Sequence, residues 1–270
     1  MFDALLRAGG LRPPEIEDLR FFGVKGALVP SDDSAVPCTA DAVRRGWDEV
    51  VATVRRLRRA GLAAWAALGV HPARIPPRGL EALLAELPDA LGRPEVAALG
   101  LVGLAEGGEL EERVLGRQLE LARELRRPVV AGTAWRRRER TTRRLLAVLR
   151  ESEVEPGRVL VAGADARTVR AIRACGHLAA LPLSGDGGQG GIDPAVRTVR
   201  SLGAEGIVLG SDAGQSGGDL LALPRAADRL ERAGLSDAVV RRVCGENALA
   251  FLGVDLEAVG RRGGRARGRR

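Results

Sequence analysis

The chain alternates short apolar runs with amphipathic stretches from end to end, and this alternation constrains its fold more than any other feature. In the stretches between the runs, apolar residues recur at helical spacing, as they do at Trp47, Val50, Val54 and Leu57. Nearly continuous hydrophobic runs indicate parallel strands that are buried on both faces. The predicted strands are Phe2–Leu6, Val24–Val29, Leu62–Val70, Val96–Leu104, Pro128–Gly132, Arg158–Ala162, His177–Leu183 and Gly206–Ser211.

Eight strand-and-helix units within about 250 residues predict an α/β fold, a (β/α)8 TIM barrel. An extra C-terminal helix is predicted over Ser236–Phe251. An open doubly wound sheet is the alternative, but the chain lacks the glycine fingerprint that binds dinucleotide phosphates in such sheets. We therefore predict one barrel domain over residues 1–254.

The net charge of +7 comes mostly from the C-terminus, where Arg261–Arg270 holds six arginines and no acidic residue. Residues 255–270 are predicted to form a disordered tail rich in Arg and Gly. Such a tail could attract nucleic acid or another acidic partner.

The three cysteines, Cys38, Cys175 and Cys244, are far apart and give no zinc-binding spacing. The N-terminus lacks the pattern of a signal peptide, and the longest apolar run, nine residues at Leu62–Val70, is too short to span a bilayer. We therefore expect a reduced, cytoplasmic protein without a membrane span.

Five phrases of the sequence carry a resemblance to one family. They are "ALGVHP" (Ala67–Pro72), "ALGLVGL" (Ala98–Leu104), "RQLELARELRRPVVAGT" (Arg117–Thr133), "IVLGSDAG" (Ile207–Gly214) and "VCGENALAFLGV" (Val243–Val254). In order and spacing these phrases resemble the TatD-like metal-dependent hydrolases of the amidohydrolase superfamily. The resemblance covers about residues 1–254 and implies a divalent metal pair at the C-terminal mouth of the barrel, which activates water against a phosphoester.

The same resemblance implies six metal-ligand positions, and only one of them keeps a residue that can ligate, Asp212 in "GSDAG". The other five lack a suitable donor, and a guanidinium would repel a dication. With two histidines in the whole chain, the usual ligand set cannot be rebuilt elsewhere, so no metal cofactor is expected. The five substituted positions are Leu5 and Arg7 for the H-x-H pair on the first strand, Leu101 for a glutamate, and Gly132 and Gly163 for two further histidines.

Several residues near the predicted mouth have two open interpretations. Asp212 is either a residual ligand or general base, or a carboxylate that pairs with Arg7 and so ties the first strand to the eighth. His71, before Pro72, is either part of the site or a feature of its frame. His177 begins a strand at the opposite, stability face, where a functional role is not expected.

The stretch after the fifth predicted strand joins one aromatic residue to a basic cluster, Trp135, Arg136, Arg137 and Arg138. This cluster is either a binding surface for a base or phosphates, or a solvated helix face. Four Phe, three Trp and no Tyr are too few for a nucleic-acid stacking platform.

Three functions follow from these residues. The leading hypothesis is a catalytically degenerate barrel, a pseudoenzyme that acts as a binding or scaffold protein for an unknown protein partner or an anionic ligand. The second is a TatD-type metal-dependent phosphoesterase or deoxyribonuclease with a non-standard site built from Asp212, His71 and either Glu106 or Asp186. The third is an anion or nucleic-acid binder that uses Arg7, the cluster Trp135–Arg138 and the basic tail.

Overall fold

Eight parallel strands form one sheet in the computed structural model, which describes residues 1–31, 38–133, 137–185, 190–214 and 218–256. Each strand pairs with the next along the chain, so the spatial order follows the sequence order. All eight predicted strands are present, and the barrel prediction is confirmed. The strands are β1 (Phe2–Asp3), β2 (Gly26–Pro30), β3 (Ala63–Leu68), β4 (Val96–Leu104), β5 (Val129–Thr133), β6 (Val159–Ala162), β7 (Leu178–Pro182) and β8 (Ile207–Gly210).

A helix follows each strand, as the alternating pattern predicts. Within the described residues, no helix is both long enough and apolar enough to cross a membrane. The helices are α1 (Pro13–Phe21), α2 (Ala40–Arg59), α3 (Leu80–Leu91), α4 (Glu109–Glu124), α5 (Arg138–Glu151), α6 (Val169–Ala174), α7 (Ile192–Leu202), α8 (Ala222–Arg232), α9 (Asp237–Arg241) and α10 (Asn247–Leu252).

Helix α2 shows how the sequence forms one of these helices and packs it against the sheet. The Thr39 side chain accepts a hydrogen bond from the Ala42 N–H at 3.1 Å and so caps the first turn. The predicted apolar stripe faces the sheet, with Val54 and Leu57 fully buried. Trp47 donates its indole N–H to the Gly69 carbonyl at 2.9 Å, which fixes the helix against the end of β3.

The first strand is shorter than the predicted Phe2–Leu6, because its second half pairs with two neighbours in turn. The Leu6 N–H bonds to the Leu28 carbonyl in β2 at 2.9 Å. The Leu5 carbonyl accepts from the Asp212 N–H, and the Arg7 N–H donates to the Ala213 carbonyl, both at 2.9 Å. These two bonds join the segment after β1 to the segment after β8 and bring the sheet around towards a closed barrel.

The predicted C-terminal helix is present, but as two short helices, α9 and α10. A wide helical turn over Arg242–Glu246 joins them. Gly245 lies in this turn, and a Cβ atom there would come within 3.3 Å of the Phe2 backbone nitrogen. Phe251 and Leu252 belong to the same buried cluster as Phe2, so α10 packs beneath the barrel and covers one end of its interior.

The buried residues form two clusters. The larger one lies between the sheet and the outer helices, and the smaller one fills the interior of the barrel. The predicted boundary between residues 254 and 255 stays a prediction, since residues 257–270 lie outside the described part of the chain.

Candidate functional site

Two leucine side chains fill the centre of the barrel mouth. Leu5 and Leu101 are 4% and 7% exposed, and both belong to the interior cluster. A Cβ atom on Gly210, the last residue of β8, would lie 3.0 Å from the Leu5 Cβ. A Cβ atom on Gly132 in β5 would lie 3.3 Å from the Leu101 Cδ1. Hydrocarbon therefore occupies the space beside the carboxyl ends of β5 and β8, where barrel enzymes place their chemistry.

Arg7 and Asp212 form an ion pair at the rim of this apolar centre. The Arg7 Nε lies 3.7 Å from the Asp212 Oδ1, and the two side chains are only 15% and 18% exposed. The Ser184 hydroxyl lies 3.5 Å from the other Asp212 carboxylate oxygen. This is the pairing that the sequence offered as the structural interpretation of Asp212.

A second carboxylate, which the sequence did not predict, lies beside the backbone hydrogen bonds that join the segments after β1 and β8. Asp3 in β1 is completely buried, and its Oδ1 accepts hydrogen bonds from the backbone N–H groups of Ser211 and Leu5 at 3.0 and 3.1 Å. The Ser211 hydroxyl donates to the Asp3 Oδ2 and accepts from the Ala213 N–H at 2.9 Å. Burial raises the pKa of Asp3 to about 6, although the bonds from Ser211 and Leu5 oppose the rise.

In the basic cluster after β5, one described arginine is buried and the other is exposed to solvent. Arg138, the first residue of α5, is 8% exposed, and its Nη1 lies 3.5 Å from the Asp165 Oδ2 after β6. Arg137 is exposed and precedes the helix with a positive φ of 58°. Trp135 and Arg136 lie outside the described residues. The structure thus draws Arg138 into an ion pair between neighbouring loops.

The other described candidates make local hydrogen bonds or are buried away from solvent. The His71 Nδ1 accepts the Ala73 N–H at 3.2 Å, so it caps the short turn that follows β3. Glu106 is exposed, and its N–H donates to the Glu111 carboxylate, which anchors the loop before α4. His177 is buried at the start of β7, and burial lowers its pKa. Asp186 lies outside the described residues.

Among the residues that the structure describes at this mouth, the donor set does not fit a divalent metal. The described residues contain no group of three or more His, Cys, Asp or Glu side chains placed to hold a metal ion. Leu5 and Leu101 offer no lone pair, and Gly132 and Gly163 have no side chain. The carboxylate of Asp212 faces the Arg7 guanidinium, whose permanent charge would repel a dication at the same place.

Comparison with known proteins identifies one family that this chain matches. The sequence model described as "TatD related DNase" matches residues 8–176. An uncharacterized metal-dependent hydrolase of Methanocaldococcus jannaschii is 24% identical over 245 residues, which cover 88% of this chain and 93% of that protein.

Solved structures agree on the fold. The crystal structure of a TatD-like protein from Archaeoglobus fulgidus is 25% identical and superposes with a TM-score of 0.79, covering 94% of this chain and all of that one. The phosphotriesterase homology protein of Escherichia coli, crystallised with phosphate in its active site, is 17% identical with a TM-score of 0.71, covering 93% and 98% of the two chains.

Proposed function

This chain belongs to the family of TatD-related DNases, and we propose that it is a catalytically degenerate member of that family. In this proposal the barrel binds an unknown protein partner or an anionic ligand and does not hydrolyse a phosphoester. The single observation that carries the proposal is the apolar centre of the mouth, where Leu5 and Leu101 are buried against Gly210 and Gly132.

The physical argument concerns what those leucines exclude. A hydrolytic metal needs several ligand atoms at about 2 Å and an open position for water. Buried leucine side chains supply neither, and removing them would open a cavity that costs packing energy. The Arg7–Asp212 ion pair is a fixed charge pair that needs no metal for neutrality.

The experiment is a hydrolase assay on protein produced with zinc, manganese, iron and nickel supplied. Bis(p-nitrophenyl) phosphate and single-stranded DNA serve as substrates, with and without a chelator. The matched variant is Asp212→Asn, since asparagine keeps the shape and tolerates the positive φ of 51° at this position. We expect any trace of turnover to be equal in the two proteins and unaffected by the chelator.

Turnover that the chelator abolishes and Asp212→Asn removes would contradict the proposal and favour the metal-dependent hydrolase. That enzyme would have to combine Asp212 with His71 and Glu106 or Asp186. Placing histidines at Leu5 and Arg7 should not by itself create activity, because Leu101, Gly132 and Gly163 still supply no ligand.

Nucleic-acid binding through the basic residues stays a separate proposal. The tail provides most of the net charge of the chain. Binding through this charge should weaken steeply as salt is added and should fall when the chain is truncated after residue 256. Binding that is unaffected by added salt and by the truncation would exclude the tail as the contact.

A further inference from the structure

A cleft of about 690 Å³ lies between α6 and α7, outside the mouth centre. One wall comprises the turn before α6 and the start of that helix, and the other is the face of α7 from Pro194 to Leu202. This volume is within the range of sites that take small molecules. The cleft is therefore a candidate binding site apart from the mouth residues on which the proposed function rests.

The charges around this cleft are mostly positive. Arg167 and Arg170 line it from the α6 side and Arg197 from α7, and all three are exposed. Asp165 is the one acidic residue among its described lining residues. That carboxylate accepts two backbone N–H groups at 3.0 Å and lies 3.5 Å from Arg138, so its charge is already engaged. An anion that enters the cleft meets guanidinium groups on both sides.

The floor of the cleft is apolar and carries a hydroxyl group. Ala164, Leu181 and Ala195 are buried beneath it. The Thr198 hydroxyl donates to the Pro194 carbonyl at 2.8 Å, which leaves its oxygen lone pairs available to accept. A ligand with a hydrocarbon body and an anionic group would find a surface for each part.

A smaller cleft of about 440 Å³ shares Arg170 but offers less uncompensated charge. Its other arginine, Arg173, donates to the Leu202 carbonyl at 2.8 Å and lies 3.7 Å from the Glu205 carboxylate. His177 also lines it, and burial lowers the pKa of this side chain, which disfavours its charged form. The larger cleft is therefore the better site for an anion.

We infer that the cleft between α6 and α7 binds a small organic phosphate, with the phosphate held between Arg170 and Arg197. Each guanidinium presents several N–H donors in a planar fork that matches phosphate oxygens. Two guanidinium groups, with Asp165 as the one carboxylate among the described lining residues, favour a phosphate dianion over a ligand that carries one carboxylate. Arg167 adds positive charge at the entrance, although its guanidinium also lies 3.3 Å from Glu139.

The test is calorimetric titration of the full chain with inorganic pyrophosphate at low ionic strength. Arg170→Gln and Arg197→Gln each remove the positive charge from one side of the cleft. Arg200→Gln is the matched control, since Arg200 is exposed on α7 outside the cleft. We expect at least a tenfold loss of affinity in each of the first two variants and less than a twofold change in the control. Circular dichroism verifies that all three fold.

Three results would overturn the inference. The first is an equal loss in all three variants, which would indicate diffuse charge attraction. The second is no heat of binding to the wild-type chain at millimolar pyrophosphate. The third is a ligand of another class, either succinate or a single-stranded oligonucleotide, that binds through Arg170 and Arg197 as tightly as pyrophosphate or more tightly.

Discussion

The guanidinium of Arg7 lies 3.7 Å from the carboxylate of Asp212, across the seam where the segments after β1 and β8 meet. Backbone hydrogen bonds from Asp212 to Leu5 and from Arg7 to Ala213 cross the same seam. In our proposal this ion pair, together with the leucine-filled centre, replaces a metal centre that would connect the same strands.

The ion pair should contribute measurably to stability. Both side chains are mostly buried, so Asp212→Asn leaves the Arg7 guanidinium without this counter-charge in a poorly solvated place. We expect a double-mutant cycle with Asp212→Asn and Arg7→Met to give a coupling of about 1–2 kcal/mol in urea unfolding. The exposed pair Arg232–Asp228 on α8 is the control and should couple more weakly, because water screens it. Equal coupling in the two pairs would contradict this.

Asp3 should give the chain a pH-dependent stability. The pKa of Asp3 is raised by burial to about 6, so the folded state holds its proton more tightly than the unfolded chain, in which an aspartate has a pKa near 3.9. This contribution is fully present below about pH 4 and is lost as pH rises through about 6, on the order of 3 kcal/mol in total.

Asp3→Asn should reduce the loss of stability between pH 4 and pH 7. The amide keeps an acceptor oxygen for the N–H groups of Ser211 and Leu5 but does not ionise. Denaturant unfolding between pH 4 and pH 7 measures the difference, and Glu120→Gln on the exposed face of α4 is the control. An unchanged pH slope in Asp3→Asn would show that Asp3 does not titrate in this range.

Leu101→Ala should destabilise the barrel strongly. The side chain is buried in the interior cluster and packs against Gly132, so its loss leaves a cavity worth about 2–5 kcal/mol. Leu110→Ala is the matched control, since Leu110 is 44% exposed, and it should stay within about 0.5 kcal/mol. If Leu101→Ala cost no more than the control, the mouth centre would not be packed as described.

Gly214→Ala should weaken the seam between β1 and β8. Gly214 has a φ of +93°, and a Cβ atom there would clash with the Arg7 carbonyl oxygen. We expect a loss of about 2 kcal/mol or more in thermal or urea unfolding. Gly116→Ala in α4 meets no atom within 4 Å and should instead stabilise by about 0.5–1 kcal/mol. Similar effects at both positions would argue against the close approach at Gly214.

The sequence predicted the fold well because buried parallel strands leave continuous apolar runs. Val96–Leu104 is a strand with the predicted bounds, and the other seven strands differ mainly at their ends. The segment after Asp3 was misjudged because its apolar residues stay extended while they change pairing partners, from β2 to the segment after β8. Periodicity reports burial and cannot report partners.

The candidate site was predictable only in part. Pairing of Arg7 with Asp212 followed once both were assigned to the mouth, whereas Asp3 was counted only as part of an apolar strand and its bond to Ser211 was not predicted. A signal was present, since Asp3 interrupts an apolar run and a buried carboxylate needs donors. The role of the Glu111 carboxylate was missed because only the turn of the loop brings the N–H groups of residues 105–107 to it.

The most direct test of the metal-free mouth is elemental analysis of untagged protein produced with zinc, manganese, iron and nickel supplied and then desalted without chelator. We predict less than about a tenth of a metal ion per chain, the same as in the Asp212→Asn variant. Between one and two ions per chain in the wild type, lost in Asp212→Asn, would contradict the proposal and place a working metal centre at the barrel mouth.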